Sequence, residues 1–210
     1  MALHSPATTT PTSTRSHPSG AVAIIASAGG IPALIELFAK LPRTFGLPLL
    51  VAQHVGRGPS LLVDILARHS ALAVSWAAEG EQPAGGHVYL APPGTGLTIG
   101  ASGFVLSALP ATSASWLGTC DDLMKSVAAV YGPRSIAIVL SGMMTAGIHG
   151  LRAVRAHGGI TMAQNDTSSA HFDMPCAAID FGKADIVLPP SRLAGALQVI
   201  AEQWAMPPNA

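Results

Sequence analysis

The sequence predicts an α/β fold built on a mainly parallel, doubly wound sheet with an edge β-hairpin. Three continuous apolar runs predict buried parallel strands, because a strand covered on both faces does not alternate with polar residues. These runs occupy residues 21–26, 48–53 and 135–140, and a segment with helical spacing follows each of them. Strands that alternate with helices in this way are typical of a Rossmann-like sheet with helices on both faces.

The remaining elements are predicted from local pattern and turn residues. Pro32 suits the first turn of a helix that runs to about Leu41, because a first-turn residue has no intrahelical acceptor for its N–H. The turn at residues 100–103 separates two short strands and therefore predicts the edge hairpin. The other predicted elements are helices over 60–69, 121–130, 148–156, 176–181 and 191–205, and strands over 87–91, 96–99, 104–107, 159–163 and 185–188.

The composition favours a compact domain of balanced charge. Apolar residues make up 49% of the 210 residues, enough for a large core, and 11 basic residues balance 11 acidic ones. No net field attracts nucleic acid or an anionic membrane, and no apolar run is long enough to span a bilayer. The two cysteines, Cys120 and Cys176, are typical of a reducing compartment. We therefore expect a cytoplasmic protein with no nucleic-acid partner and no membrane span.

The first twenty residues differ from the rest of the chain. Residues 1–20 are rich in Thr, Ser and Pro and contain no apolar signal-peptide segment. Such a segment cannot bury enough apolar surface to offset its ordering entropy. We therefore expect a disordered tail, followed by one domain over residues 21–206.

Reactive residues follow three of the predicted strands. Ser27 follows the first strand, His54 the second, and Ser141-Gly142-Met143 the third. Because the carboxyl ends of parallel strands form the ligand-binding edge of such a sheet, we expect these residues to meet. A histidine can take the proton of a serine nucleophile, and a backbone N–H of the Gly-Met turn can hold an oxyanion. Gly29 and Gly30 would let a substrate approach Ser27.

Each of these signals has a simpler interpretation when taken alone. The Ser-Ala-Gly-Gly turn at residues 27–30 is also typical of a tight turn or a phosphate-binding loop, although it lacks the dinucleotide fingerprint. His54 is compatible with a structural histidine, and Met143 with core packing. No metal site is predicted, because ligand spacing is lacking at the scattered histidines His149, His157 and His171.

Several motifs follow one another between about residue 21 and residue 200. They are Ile25-Ala26-Ser27-Ala28-Gly29-Gly30, Gln53-His54-Val55, Val88-Tyr89-Leu90-Ala91-Pro92, Asp121–Ala128 with Tyr131-Gly132, Leu140-Ser141-Gly142-Met143, and Ala163-Gln164 with Met174-Pro175. In this order they resemble the CheB-type protein-glutamate methylesterase domain of bacterial chemotaxis.

That resemblance implies a chemistry and a set of partners. Similar domains hydrolyse glutamate methyl esters on chemoreceptor cytoplasmic helices and release methanol, and many of them also deamidate glutamines there. The resemblance assigns the nucleophile to Ser27, the general base to His54 and the oxyanion-holding N–H to Met143. It implies no metal and no organic cofactor. The expected partner is the methylated cytoplasmic domain of a chemoreceptor, with a methyltransferase or a separate regulator as a second class.

The sequence departs from the family pattern around this expected site. The family motif Gly-Met-Gly-x-Asp-Gly reads Gly-Met-Met-Thr-Ala-Gly here, so that Ala146 replaces the triad aspartate and Met144 replaces a glycine. In serine proteases the loss of that carboxylate costs about 10⁴ in rate. Gly96 replaces a family histidine, and Asp173 a family glycine. We also expect the short tail to be unable to form the receiver domain of two-domain relatives.

Three functions remain open at this point. The first is a methylesterase weakened at its third catalytic position, in which Asp173 or Asp166 is a hypothetical substitute for the missing carboxylate. The second is a catalytically impaired binding module for chemoreceptors or a methyltransferase. The third is a small-molecule or nucleotide binder that uses the turn at 27–30. Trp116, between the hairpin and the helix at 121–130, is a further hypothetical contact for a substrate helix.

Overall fold

The computed structural model describes residues 18–109 and 113–206, with the side chains of 113–115 excepted. Most of the predicted tail, residues 1–17, lies outside the described residues, as do 110–112 and 207–210. Packing begins at Gly20, which is buried. A Cβ on Gly20 would lie 2.5 Å from the Arg134 carbonyl oxygen and 2.6 Å from the Trp204 ring.

The chain forms nine strands and six α-helices over the described residues. The strands are β1 (Ala21–Ala26), β2 (Leu49–Gln53), β3 (Ala73–Trp76), β4 (His87–Leu90), β5 (Thr95–Gly100), β6 (Gly103–Ala108), β7 (Ser135–Val139), β8 (Ile160–Gln164) and β9 (Ile186–Leu188). The helices are α1 (Gly30–Phe38), α2 (Leu62–Ala67), α3 (Ser113–Tyr131), α4 (Ile148–Ala156), α5 (Asp173–Asp180) and α6 (Pro190–Ala205).

Seven strands form one parallel sheet, which confirms the predicted fold class. Their order is β3-β4-β2-β1-β7-β8-β9, and every neighbouring pair runs parallel. After β1, the strands β2, β3 and β4 are added on one side of β1. The chain then crosses over, and β7, β8 and β9 are added on the other side of β1. The two halves of the sheet therefore diverge between β1 and β7, which is where such sheets form their binding crevice.

The side chains of β1 divide the interior into two cores. Val22, Ile24 and Ala26 enter one apolar cluster, whereas Ala23 and Ile25 enter the other. Successive residues of a strand point to opposite faces, so a strand that is apolar throughout is buried on both. Residues of α1, α2 and α6 complete the first cluster, and residues of α3 and α4 with the β5–β6 hairpin complete the second.

The predicted hairpin is present, but it is a separate two-stranded sheet and does not pair with an edge strand of the main sheet. Its apolar side chains Leu97, Ile99 and Phe104 are buried in the second cluster together with residues of α3. The hairpin therefore covers α3 by side-chain packing. The edge strands are β3 and β9 instead, and the sequence analysis did not anticipate β3.

Helix α3 begins at Ser113, eight residues before its predicted start. Ser, Thr and Gly residues precede position 121 and predict a loop. Trp116 and Cys120 are nevertheless buried in the second cluster, and burial of this kind overrides a weak local preference.

Among the described helices, none has the length and apolar character required to cross a membrane.

We expect His87, on β4 beside the edge strand β3, to make the stability of the domain depend on pH. Burial lowers the pKa of His87 below its usual value, and the Glu81 carboxylate opposes this less strongly. The Ser75 hydroxyl lies 2.8 Å from His87 Nε2 and ties β3 to β4. Below about pH 6.5, the usual pKa of histidine, His87 is protonated more readily in the unfolded chain than in the folded chain. The contribution of His87 to the free energy of unfolding is therefore fully present above this pH and decreases as the pH falls.

The measurement is urea unfolding of the wild type and His87→Gln at pH 7.5 and 5.5. The variant should lose less stability between the two conditions, whereas His69→Gln, at an exposed histidine, should behave as the wild type. Equal losses in all three proteins would contradict the assignment.

Candidate active site

Three strand ends meet at one edge of the sheet. Ser27, His54 and Ser141 follow β1, β2 and β7 directly or after one residue. The Ser27 N–H donates to the Ser141 carbonyl at 3.0 Å, and the His54 N–H donates to the Ala26 carbonyl at 3.0 Å. These bonds continue the parallel ladders beyond the strands and bring the predicted residues to the crevice beside β1.

Ser27 occupies the turn between β1 and α1. Its side chain is half-buried, and its carbonyl accepts the Gly30 N–H at 2.9 Å. Gly29 precedes the helix with φ of 73°, a left-handed conformation that glycine adopts without a steric penalty. A Cβ on Gly142 would lie 3.1 Å from the Ser27 Cβ. The turn after β7 therefore passes directly beside Ser27.

Gln53 joins the Ser27 turn to His54. Its side chain is buried, and its Nε2 donates to the Ser27 carbonyl at 2.9 Å and to the His54 carbonyl at 3.1 Å. Its Oε1 is buried without a partner among the described residues. In the sequence, Gln53 is only one letter of a motif. A glutamine at the end of an apolar strand, beside a candidate base, was the available signal for its role.

The Ser141 hydroxyl fixes the third strand end. It accepts the His171 N–H at 3.0 Å and donates to the Ala28 carbonyl at 2.8 Å. The Gly142 N–H in turn donates to the His171 carbonyl at 3.0 Å. Ser141 thus holds the Ser27 turn and the segment before α5 in one network, a role that only the folded chain reveals.

Gly29 and Gly30 have packing roles that are not apparent in the sequence. A Cβ on Gly29 would lie 2.6 Å from both the Ala170 Cβ and the Ser141 Oγ, and a Cβ on Gly30 would overlap the Gln53 Oε1. The absence of a side chain at both positions therefore permits the close contact between the turns. Their role in the approach of a substrate stays a prediction.

Two backbone N–H groups beside Ser27 remain available to a ligand. Among the described residues, the N–H groups of Ala28 and Met143 donate to no protein acceptor, whereas those of Ser27 and Gly142 do. Met143 was predicted as an oxyanion donor. Ala28 follows Ser27, the candidate nucleophile, and the residue after the nucleophile supplies such a donor in α/β-hydrolases. The arrangement can therefore offer two donors to a developing negative charge.

His54 is exposed, and its ring is stacked on the indole of Trp116, with centroids 4.9 Å apart and planes at 30°. Within residues 18–109 and 113–206, no hydrogen bond joins the Ser27 hydroxyl to the imidazole. Ala146 is only 2% exposed, and its methyl group supplies no acceptor to His54. That residue 146 is the position of the triad carboxylate remains an expectation from the family motif.

The hypothetical substitute carboxylates, Asp166 and Asp173, make no hydrogen bond to His54 among the described residues. Asp166 accepts the Thr167 N–H at 2.7 Å within its own turn. Asp173 is the exposed first residue of α5. No group of three or more His, Cys, Asp or Glu in the described ranges is placed to hold a metal ion.

A cavity of about 220 Å³ opens beside His54 on the side away from β7. The end of β2, the loop after β4, the hairpin and α3 surround it, and Arg57 is among its lining residues. Gly96 lies in its wall, where a Cβ would lie 2.8 Å from both the Ser107 Oγ and the Thr119 Cγ2. Any larger residue at position 96 would therefore require Ser107 and Thr119 to shift.

Residues 22–197 match the family model described as CheB methylesterase. The chain belongs to the CheB methylesterase family. It is 41% identical over 179 residues to protein-glutamate methylesterase/protein-glutamine glutaminase 1 of Carboxydothermus hydrogenoformans, covering 82% of this chain and 53% of the relative. It is 38% identical over 185 residues to protein-glutamate methylesterase FrzG of Myxococcus xanthus, covering 87% and 54%.

The fold also matches a solved CheB domain. The catalytic domain of Thermotoga maritima CheB methylesterase superposes with a TM-score of 0.77 at 30% identity, covering 86% of this chain and 98% of that one. The chain spans about half the length of the curated relatives it matches. The CheB fold is therefore shown for the matched region.

Met144→Gly should stabilise this CheB domain. Met144 has φ of 73° and is 52% exposed, so it bears the steric cost of a left-handed residue while burying little surface. Glycine removes this steric cost, but it also increases the conformational entropy of the unfolded chain, which lowers stability. The balance of the two effects should raise the free energy of unfolding by about 0.5–1 kcal/mol. Met143 is equally exposed without a positive φ, so that Met143→Gly should not stabilise. Equal effects in urea unfolding would contradict the strain argument.

Gln53→Met should destabilise the domain by removing both amide bonds. Loss of these buried bonds should cost about 1–3 kcal/mol. Gln198 provides the matched control, since its Nε2 also donates to two carbonyls, those of Lys40 and Ala194, but from a half-buried position. Gln198→Met should cost clearly less in urea unfolding. A larger loss in the control would show that Gln53 is not a principal anchor of the site.

Proposed function

We propose that the chain hydrolyses glutamate methyl esters on chemoreceptor cytoplasmic helices, with Ser27 as nucleophile and His54 as general base. The observation that carries the proposal is the convergence of the β1, β2 and β7 ends, which places a half-buried serine beside two free backbone N–H groups among the described residues. The names of its relatives, which are protein-glutamate methylesterases, support the same chemistry.

The reaction follows from the groups at this edge. The Ser27 hydroxyl attacks the ester carbonyl while His54 accepts its proton, and the N–H groups of Met143 and Ala28 bind the resulting oxyanion. Collapse of the tetrahedral intermediate breaks the bond to the methoxy oxygen, and His54 returns the proton so that methanol leaves. Water then hydrolyses the acyl-serine, with His54 again as base, and releases the glutamate carboxylate.

Glutamine deamidation would use the same steps, with ammonia as the leaving group instead of methanol. The name of the relative from Carboxydothermus hydrogenoformans includes protein-glutamine glutaminase. The acyl-serine formed from a glutamine is the same as that formed from its methyl ester. A single site therefore serves both reactions, and the proposed steps use no metal or organic cofactor.

Ala146 limits the rate of this reaction. An alanine cannot fix the histidine tautomer or stabilise the imidazolium that forms when Ser27 loses its proton. Oxyanion donors and substrate binding remain, and such groups alone retain about 10³–10⁴ over the reaction in water in serine proteases. The proposed activity is therefore that of a weakened esterase.

The buried Ala146 methyl group favours a second candidate, a catalytically impaired module that binds chemoreceptors or a methyltransferase. The exposed Met143 and Met144 would supply apolar contact area in this case. The retained Ser27 and His54 favour the esterase, because a binding module has no need of either. Both candidates place the chain in the cytoplasm, where the proposed receptor helices lie.

The deciding experiment measures methanol release from methylated receptor cytoplasmic fragments by the wild type, Ser27→Ala and Ala146→Asp. We expect slow release by the wild type, loss of release in Ser27→Ala, and an increase of at least about tenfold in Ala146→Asp, because a triad carboxylate contributes up to about 10⁴. Asp173→Asn serves as a control and should leave the rate unchanged.

Receptor binding is measured on the same fragments. If the wild type and Ser27→Ala both remain at background while the receptor fragment still binds, the chain is a binding module and the esterase proposal is wrong. If Ser27→Ala still releases methanol, the assignment of Ser27 as the nucleophile is wrong.

A further inference from the structure

The indole of Trp116 stacks against the exposed ring of His54. The indole is 8% exposed and belongs to the second core cluster, on the first turns of α3. Its centroid lies 4.9 Å from that of the imidazole, with an interplanar angle of 30°. A ring fixed by core packing thus restricts the orientation of a ring that solvent otherwise leaves free.

The stacking of Trp116 on His54 can perform two functions of a triad carboxylate. It holds the imidazole plane in one orientation, and its π face attracts the imidazolium that forms when Ser27 is deprotonated. A triad carboxylate contributes about 10⁴ in rate, and the attraction between a cation and an indole face supplies only a fraction of the corresponding free energy. An indole face cannot accept the ring N–H strongly, so it does not fix the tautomer.

We infer that Trp116 is a positioning residue for His54, and that its stack partly replaces the carboxylate absent at Ala146. The inference rests on the proposed function, since it presumes that His54 acts as the base. Trp116 acts through His54 and need not touch the substrate. This role differs from the substrate-helix contact considered from the sequence.

The first test is the position of the His54 ring, which does not depend on activity. In proton NMR, the His54 Hε1 resonance, assigned with His54→Gln, should lie upfield in the wild type because of the indole ring current. It should return towards the free-histidine position in Trp116→Leu and remain partly shifted in Trp116→Phe. An unshifted wild-type resonance, or one that Trp116→Leu leaves in place, overturns the inference.

The second test separates kcat from KM for hydrolysis of the methylated receptor fragment. Trp116→Leu should lower kcat about 3- to 30-fold with KM unchanged, and Trp116→Phe should recover part of the loss. Trp76→Leu is the matched control, because Trp76 packs against the first cluster on the other face of the sheet. Circular dichroism at the assay temperature confirms that each variant is folded. A change confined to KM overturns the inference in favour of substrate contact.

A double-mutant cycle with Ala146→Asp tests the replacement itself. If the stack compensates for the missing carboxylate, Trp116→Leu should cost less in the Ala146→Asp background than in the wild type. Equal costs in both backgrounds overturn the claim of replacement. Absence of Ser27-dependent hydrolysis in every variant would reject the proposed function, and the NMR measurement would still decide whether Trp116 holds the ring.

Discussion

The site depends on the parallel pairing of β1 with β2 on one side and with β7 on the other. Val22–Ala26 pairs in register with Leu49–Gln53, and Ala21–Ile25 with Ser135–Val139. Because parallel strands in register end at the same level, three loops are forced to leave the sheet together. Burial of β1 on both faces fixes that register, since its side chains fill both cores.

Uncharged groups hold this site together. The Gln53 amide joins the carbonyls of Ser27 and His54, and the Ser141 hydroxyl joins the Ser27 turn to the segment before α5. None of these bonds involves residue 146. The framework that positions Ser27, the proposed nucleophile, is therefore independent of the side chain at residue 146, so that the crevice forms in a chain with alanine at this position.

The departures from the family pattern have different physical consequences. Gly96 is accommodated, because Ser107 and Thr119 pack closely against it. Met144 is strained, because it occupies a left-handed conformation that its side chain disfavours. Ala146 is buried, and a small apolar side chain suits that position. Asp173, the fourth departure, is the exposed first residue of α5. Among the four, only Met144 is expected to cost stability.

Local signals in the sequence predicted the parallel α/β fold, the three strand ends and the candidate nucleophile and base, because continuous apolar runs and strand-end residues can be recognised without knowledge of distant contacts. The family motif also drew attention to Ala146. The separate hairpin, the early start of α3, the hydrogen bonds of Gln53 and Ser141 and the stacking of Trp116 on His54 became apparent only in the folded chain. Each of these depends on contacts between segments distant in the chain, such as the 62 positions that separate His54 from Trp116, and no local pattern encodes such a contact.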